Sequence, residues 1–250
     1  MAGLSIAPLL AGLVVVFGAA GCAAPADDSP SEDSSQDPLR HFEDATGQRP
    51  EVGLVSMPGS LCTGTLIGAR TVITAAHCFE FGSNITAMSA APIGKFVVEK
   101  NGTHIEFPFH RERADATILD FKFDIALIQL DAPVAADLAT PAVIAAAWPR
   151  EGRLTVFGYG RFGEDCKSSD AAGHVKRMTT VPLSNARATS CPSDSGGPYF
   201  AGTTNQIVAT VKGPTLNQGW LPEYLTDAVK YRDWIMKHRA EAELGQLSID

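Results

Sequence analysis

The chain has 250 residues, 45% of them hydrophobic and 8% aromatic, which is enough to bury an ordinary core. Its formal net charge of −8 argues against the basic face that nucleic-acid binding requires. With 23 glycines, 16 prolines and few long stretches of helical periodicity, the composition points to an all-β domain of short strands and many turns.

Residues 4–20 (LSIAPLLAGLVVVFGAA) are apolar and uncharged. The stretch is short for a membrane-spanning helix and suits the core of a signal peptide over residues 1–21, although no Lys or Arg precedes it. Ala19-Ala20-Gly21-Cys22 resembles a bacterial lipobox, which implies cleavage before Cys22 and lipidation of its thiol; plain secretion is the other outcome considered. Residues 22–40 then read as a flexible acidic tether, with Asp27, Asp28, Glu32, Asp33 and Asp37 carrying much of the negative charge. The expected location is therefore the cell envelope or the exterior, with membrane attachment only through Cys22. Five cysteines occur: Cys22, Cys62, Cys78, Cys166 and Cys191. With Cys22 acylated, four remain for two disulfides in an oxidising compartment. No C-x-x-C pair exists and His77 adjoins Cys78, so neither a metal nor any other cofactor is expected.

Residues 41–250 form the expected folded domain. In LCTGTLIGARTVITAAHCF (61–79), Gly68-Ala69-Arg70 marks a turn between two apolar strands, and His77 ends the second. In FKFDIALIQL (121–130), Asp124 opens a buried strand, where a carboxylate needs a partner. In CPSDSGGP (191–198), two glycines after Ser195 permit a sharp bend and a close approach by a ligand. Each segment is modest alone. Together they offer a hydroxyl nucleophile, an imidazole able to act as base near neutral pH, and an acid able to orient that imidazole.

TVITAAHC, FDIALIQL and CPSDSGGP resemble the three active-site segments of the trypsin/chymotrypsin-like serine proteases, in that family's order. LTVFGYG (154–160) is similar to the opening of the family's second barrel, and PEYLTDAVKYRDWI (222–235) to its last strand and C-terminal helix. The resemblance covers roughly residues 50–240. It implies two packed six-stranded antiparallel β-barrels, about 50–140 and about 150–225, and a C-terminal α-helix over about 227–243. It implies an endopeptidase acting on protein or peptide substrates, with Ser195 as nucleophile, His77 as base, Asp124 as orienter and the N–H groups of Ser193 and Ser195 as oxyanion hole. It also implies a Cys62–Cys78 disulfide. Cys191 matches a second family cysteine whose usual downstream partner is missing, so its expected partner is Cys166. A monomer is expected.

Three departures bear on activity. Ser193 stands where the family has glycine, and its Cβ biases the backbone that must aim an N–H. No hydrophobic start follows residue 40 to supply the α-ammonium that pairs with the aspartate beside the nucleophile. Asp194 then needs another donor, or cleavage after Arg40 or Arg49; the expectation favoured is that no such switch is needed. In the substrate pocket, Thr189 replaces an acidic base. Ser190, Ala209, Thr210 and Val211 are assigned to its walls, and Glu223 is either a carboxylate for a basic side chain or solvated. A catalytically weak binding protein that keeps the protease fold at the cell surface is the alternative function.

Overall fold

The structure, a computed structural model, describes residues 43–79, 92–114, 124–161, 175–185, 191–212 and 225–247, all within a compact unit spanning 35–250. The signal segment, Cys22 and the tether lie outside these residues. The strands are β1 (Glu43–Asp44), β2 (Val52–Met57), β3 (Ser60–Leu66), β4 (Thr71–Thr74), β5 (Gly94–Lys100), β6 (Thr103–Ala114), β7 (Ala126–Leu130), β8 (Val143–Ile144), β9 (Arg153–Gly158), β10 (Arg177–Pro182), β11 (Pro198–Ala201), β12 (Gln206–Val211) and β13 (Leu225–Asp227). One α-helix, α1 (Arg232–Glu243), follows them.

β2-β3-β4-β7-β6-β5 close into an antiparallel barrel, with β5 returning to β2 at Leu54↔Val97 and Val55↔Phe96. The second sheet runs β1-β10-β9-β11-β12-β13. It carries a seventh strand, β8, paired in parallel with β12 where the connection between the two layers crosses the sheet. The expected all-β architecture of two β layers and a C-terminal helix is present. Among the described residues the first sheet closes and the second is an open path.

Strand periodicity explains how the layers share one core. In β7, Ala126, Ile128 and Leu130 point into the barrel beside Val72, Phe96 and Phe109. The alternate residues Ile125 and Leu127 face a second cluster with Ile73, Phe157, Phe200 and Ile235. A strand buried on both faces needs a largely apolar run, which IALIQL supplies, with Gln129 its one polar member. A third cluster, with Leu154, Val156, Val181, Tyr199 and Val208, fills the other side of the second sheet.

A polar stitch also joins the layers. Lys176 is 1% exposed, and its Nζ donates to the carbonyls of Gln48 and Arg49 at 2.8 and 2.9 Å. Burial pulls its pKa down to about 8, against the pull of Glu99 and Glu51. Glu99 on β5 accepts the Gly47 N–H at 3.0 Å, and the Arg49 guanidinium donates to the carbonyls of Thr203 and Thr204, both at 2.7 Å. The Arg49 carbonyl also accepts the Val52 N–H. The bond after Arg49 is therefore pinned from both sides, which counts against it as an activation site.

The helix expected from about 227 begins at Arg232, because Asp227 Oδ1 first takes the Lys230 N–H in a turn. Its charged end is partly buried. His238 is 3% exposed, and Glu243 accepts the Arg70 N–H at 3.0 Å and the Thr71 hydroxyl at 2.6 Å. Just beyond the helix, Leu247 N–H donates to Gln129 Oε1 at 3.0 Å.

Candidate active site

Sheet register brings the first two site residues together. β4 pairs with β7 at Thr74↔Ala126. His77 lies three residues beyond Thr74, in a 3-10 turn over Ala76–Phe79, and Asp124 lies two residues before Ala126. Ala75 and Ala76 are fully buried, so the turn packs directly onto the barrel end. The Cys62–Cys78 disulfide ties it to β3, and Ser60 Oγ donates to the Cys78 carbonyl at 3.0 Å.

Asp124 holds His77 twice. Its Oδ1 accepts the His77 backbone N–H at 2.9 Å and its Oδ2 lies 2.6 Å from Nδ1. With Nδ1–H committed to the carboxylate, Nε2 is left as acceptor, and Ser195 Oγ stands 2.8 Å from it. Asp124 and Ser195 are 6% and 9% exposed, while the imidazole is 22% exposed and reachable from solvent. Thr226 on β13 donates to the Asp124 carbonyl at 3.1 Å, so the second layer also braces this residue.

The loop carrying Ser195 is held by backbone conformations that ordinary side chains avoid. Gly196 has φ +81, and a Cβ there would lie 2.2 Å from Thr74 Oγ1. Ser193 has φ +82 without being glycine, which costs on the order of 1–2 kcal/mol. The expected bias from its Cβ is thus realised as strain, and the loop keeps the glycine-like conformation. Thr63 Oγ1 donates to the Ser193 carbonyl at 2.8 Å, and Thr63 N–H donates to the Ser195 carbonyl at 2.8 Å. Among the described residues, the N–H groups of Ser193 and Ser195 donate to no acceptor.

Asp194 is 1% exposed. Its Oδ1 accepts the Gly160 N–H at 2.8 Å and its Oδ2 the Cys191 N–H at 2.9 Å. These two amides are the donors that the sequence left unnamed. Burial pushes the Asp194 pKa up to about 7, while the two amides and the charge of Arg177 pull the other way. The cradle demands glycine: a Cβ on Gly158 or Gly160 would lie 2.1 or 2.4 Å from carboxyl atoms of Asp194.

The other expected positions fall differently. Ala209, Thr210 and Val211 are fully buried in β12, opposite Asp227, Thr226 and Leu225, and Val211 exchanges backbone hydrogen bonds with Gly196 and Gly197 of the nucleophile loop. Thr189, Ser190, Glu223 and Cys166 lie outside the described residues. Cys191 is disulfide-bonded to a cysteine that also lies outside them. Sequence reasoning did not name Thr63, Thr226 or Gly160 as parts of the site. The one available signal was Gly158-Tyr159-Gly160, since glycines at a strand end mark a close backbone approach. A cavity of about 610 Å³, lined by Leu54, Met57, Ile93, Val97, His104 and Glu106 among others, contains none of His77, Asp124 and Ser195.

Comparison with known proteins places this geometry in context. The trypsin family model matches residues 39–235. The chain is 23% identical over 213 residues to kallikrein 1-related peptidase b22 of Mus musculus, covering 74% of this chain and 82% of that protein. It is 28% identical over 200 residues to the thrombin-like enzyme acutobin of Deinagkistrodon acutus, covering 70% and 75%. Among solved structures, human heparin binding protein superposes with a TM-score of 0.57 at 20% identity, over 78% of this chain and 94% of that one, a likeness of fold.

Proposed function

Because the chain belongs to the trypsin family of serine proteases, we propose that it is an active endopeptidase using Ser195, His77 and Asp124. The observation that carries this reading is the unbroken line of hydrogen bonds from Ser195 Oγ through both ring nitrogens of His77 to the buried Asp124. Ser195 Oγ attacks the scissile carbonyl while its proton passes to His77 Nε2. Asp124 keeps Nδ1 protonated and stabilises the imidazolium that forms. The oxyanion that develops takes the N–H groups of Ser193 and Ser195, each donor contributing about 10²–10³ in rate. Collapse of the tetrahedral species expels the amine, which receives the proton held on Nε2. Water, deprotonated by the same imidazole, then releases the acyl group from Ser195.

The engagement of both Asp194 oxygens by backbone amides supports activity without an activating cleavage. The substrate class is protein or peptide. The sequence before residue 41 supports export, with Cys22 as a lipid anchor of a bacterial envelope protein. A fluorophosphonate probe tests the central claim. It should label the wild type and leave Ser195→Ala unlabelled. A folded wild type that fails to react, and fails to cleave casein, would overturn the proposal.

A further inference from the structure

We infer that Thr63 is a positioning residue that holds the nucleophile loop in its working conformation; this rests on the endopeptidase reading above. Thr63 is fully buried in β3, on the opposite layer from most of the loop's neighbours. Every polar group it has is committed. Its N–H donates to the Ser195 carbonyl, its carbonyl accepts the Thr74 hydroxyl at 2.7 Å, and its own hydroxyl donates to the Ser193 carbonyl at 2.8 Å. The same hydroxyl accepts the Tyr159 N–H at 3.0 Å. An amide needs a lone pair, so the single hydroxyl proton has one place to go, the Ser193 carbonyl. The hydroxyl is therefore locked in direction as well as in place.

That lock acts where the loop is weakest. Ser193 sits at φ +82, a conformation that L side chains leave unless held. Relaxation to negative φ would swing the Ser193 N–H away from its present direction and pull its carbonyl off Thr63. The carbonyls of Ser193 and Ser195 flank Asp194, and Thr63 anchors both. One threonine thus fixes the 193–194 and 195–196 peptide planes, each joined through a single Cα to a peptide that carries one of the two N–H groups assigned to the oxyanion. Thr63 reaches the nucleophile loop only through backbone carbonyls, so its effect on the reaction is exerted through Ser193.

Thr63→Val keeps the shape, the β-branch and the backbone N–H, and removes only the hydroxyl. On peptide substrates, kcat should fall at least about tenfold, since the hydroxyl's bonds to both Ser193 and Tyr159 are lost, with KM within about twofold. Thr63→Ser restores the hydroxyl and should keep kcat within about twofold of wild type. In a Ser193→Gly background the loop needs no such hold, and Thr63→Val should cost less than about threefold. Rates are normalised to active sites titrated with the fluorophosphonate, below the melting temperature of each variant. An unchanged kcat in Thr63→Val, an equal loss in both backgrounds, or a tenfold loss in Thr63→Ser would each overturn the inference. An unreactive wild type would instead remove the endopeptidase reading itself; an active wild type with an indifferent Thr63→Val removes only this step. If Thr63→Val does not fold, Thr63→Ala takes its place, with the same loss of kcat expected and an unchanged kcat overturning the inference.

Discussion

Asp194 and Lys176 are both 1% exposed, and the protein holds them in mirror-image ways. The anion takes two backbone N–H groups, from Gly160 and Cys191. The cation gives itself to two backbone carbonyls, of Gln48 and Arg49. Burial moves both toward neutrality, the carboxyl up to about 7 and the ammonium down to about 8. Yet one adjoins the nucleophile and the other fastens a connecting segment. The contrast shows that similar burial chemistry orders either the nucleophile loop or a connecting segment, according to which piece of backbone it meets.

Breaking the anionic half should have the largest effect. Asp194→Asn puts an –NH₂ against one of two N–H donors, and kcat/KM should fall about a hundredfold, comparable with losing an oxyanion donor. Steady-state kinetics check this. A smaller change comes from Gly160→Ala, whose Cβ would meet the Asp194 carboxyl at 2.4 Å. Such overpacking should cost about 1–3 kcal/mol of stability in thermal melts, with kcat/KM down about tenfold. Lys176→Met should lower stability by about 1–2 kcal/mol, since the Gln48 carbonyl loses its donor, and leave kcat within about twofold. A loss of kcat in that variant as large as its loss in Asp194→Asn would erase the distinction between the two sites.

The pH dependence sharpens the contrast further. The raised Asp194 pKa means the folded state binds the proton more tightly, so this group's contribution to stability is full below about pH 4 and is lost as pH rises through about 7. The lowered Lys176 pKa means the unfolded state binds the proton more tightly, so stability from that group rises with pH from about 8 to about 10.5. Each span amounts to a few kcal/mol at most. Melting curves of Asp194→Asn and Lys176→Met against wild type should therefore diverge in opposite senses in these two windows.

What the sequence shows and what it hides follow from distance along the chain. His77, Asp124 and Ser195 each sit in a short segment whose local pattern points to them, and the fold then brings the three together. The apolar run after Asp124 likewise announces a strand buried on both faces. Thr63 carries no local signal, because its role depends on β3 facing a loop 130 residues away. Asp194 finds Gly160 across 34 residues, a pairing fixed by how β9 runs past the loop. Val211 meets Gly196 and Gly197 of the nucleophile loop through backbone alone, an adjacency set by the pairing of β12 with β11 and β13 and by no local pattern. Helical pattern alone likewise does not reveal that Glu243 reaches the turn before β4.

That last contact has a consequence for the order of assembly. Glu243 bonds to residues 172 and 173 positions earlier, and Leu247 to one 118 positions earlier. Of the strands they brace, β4 leads into His77 and β7 follows directly on Asp124. Among the described segments, the helix region is the last to leave the ribosome. Closing such long loops is slow, because chain entropy opposes it before any contact forms. The turn that bears His77 and the strand that follows Asp124 thus gain this one brace only after the helix region has been made, later than the contacts they make with each other.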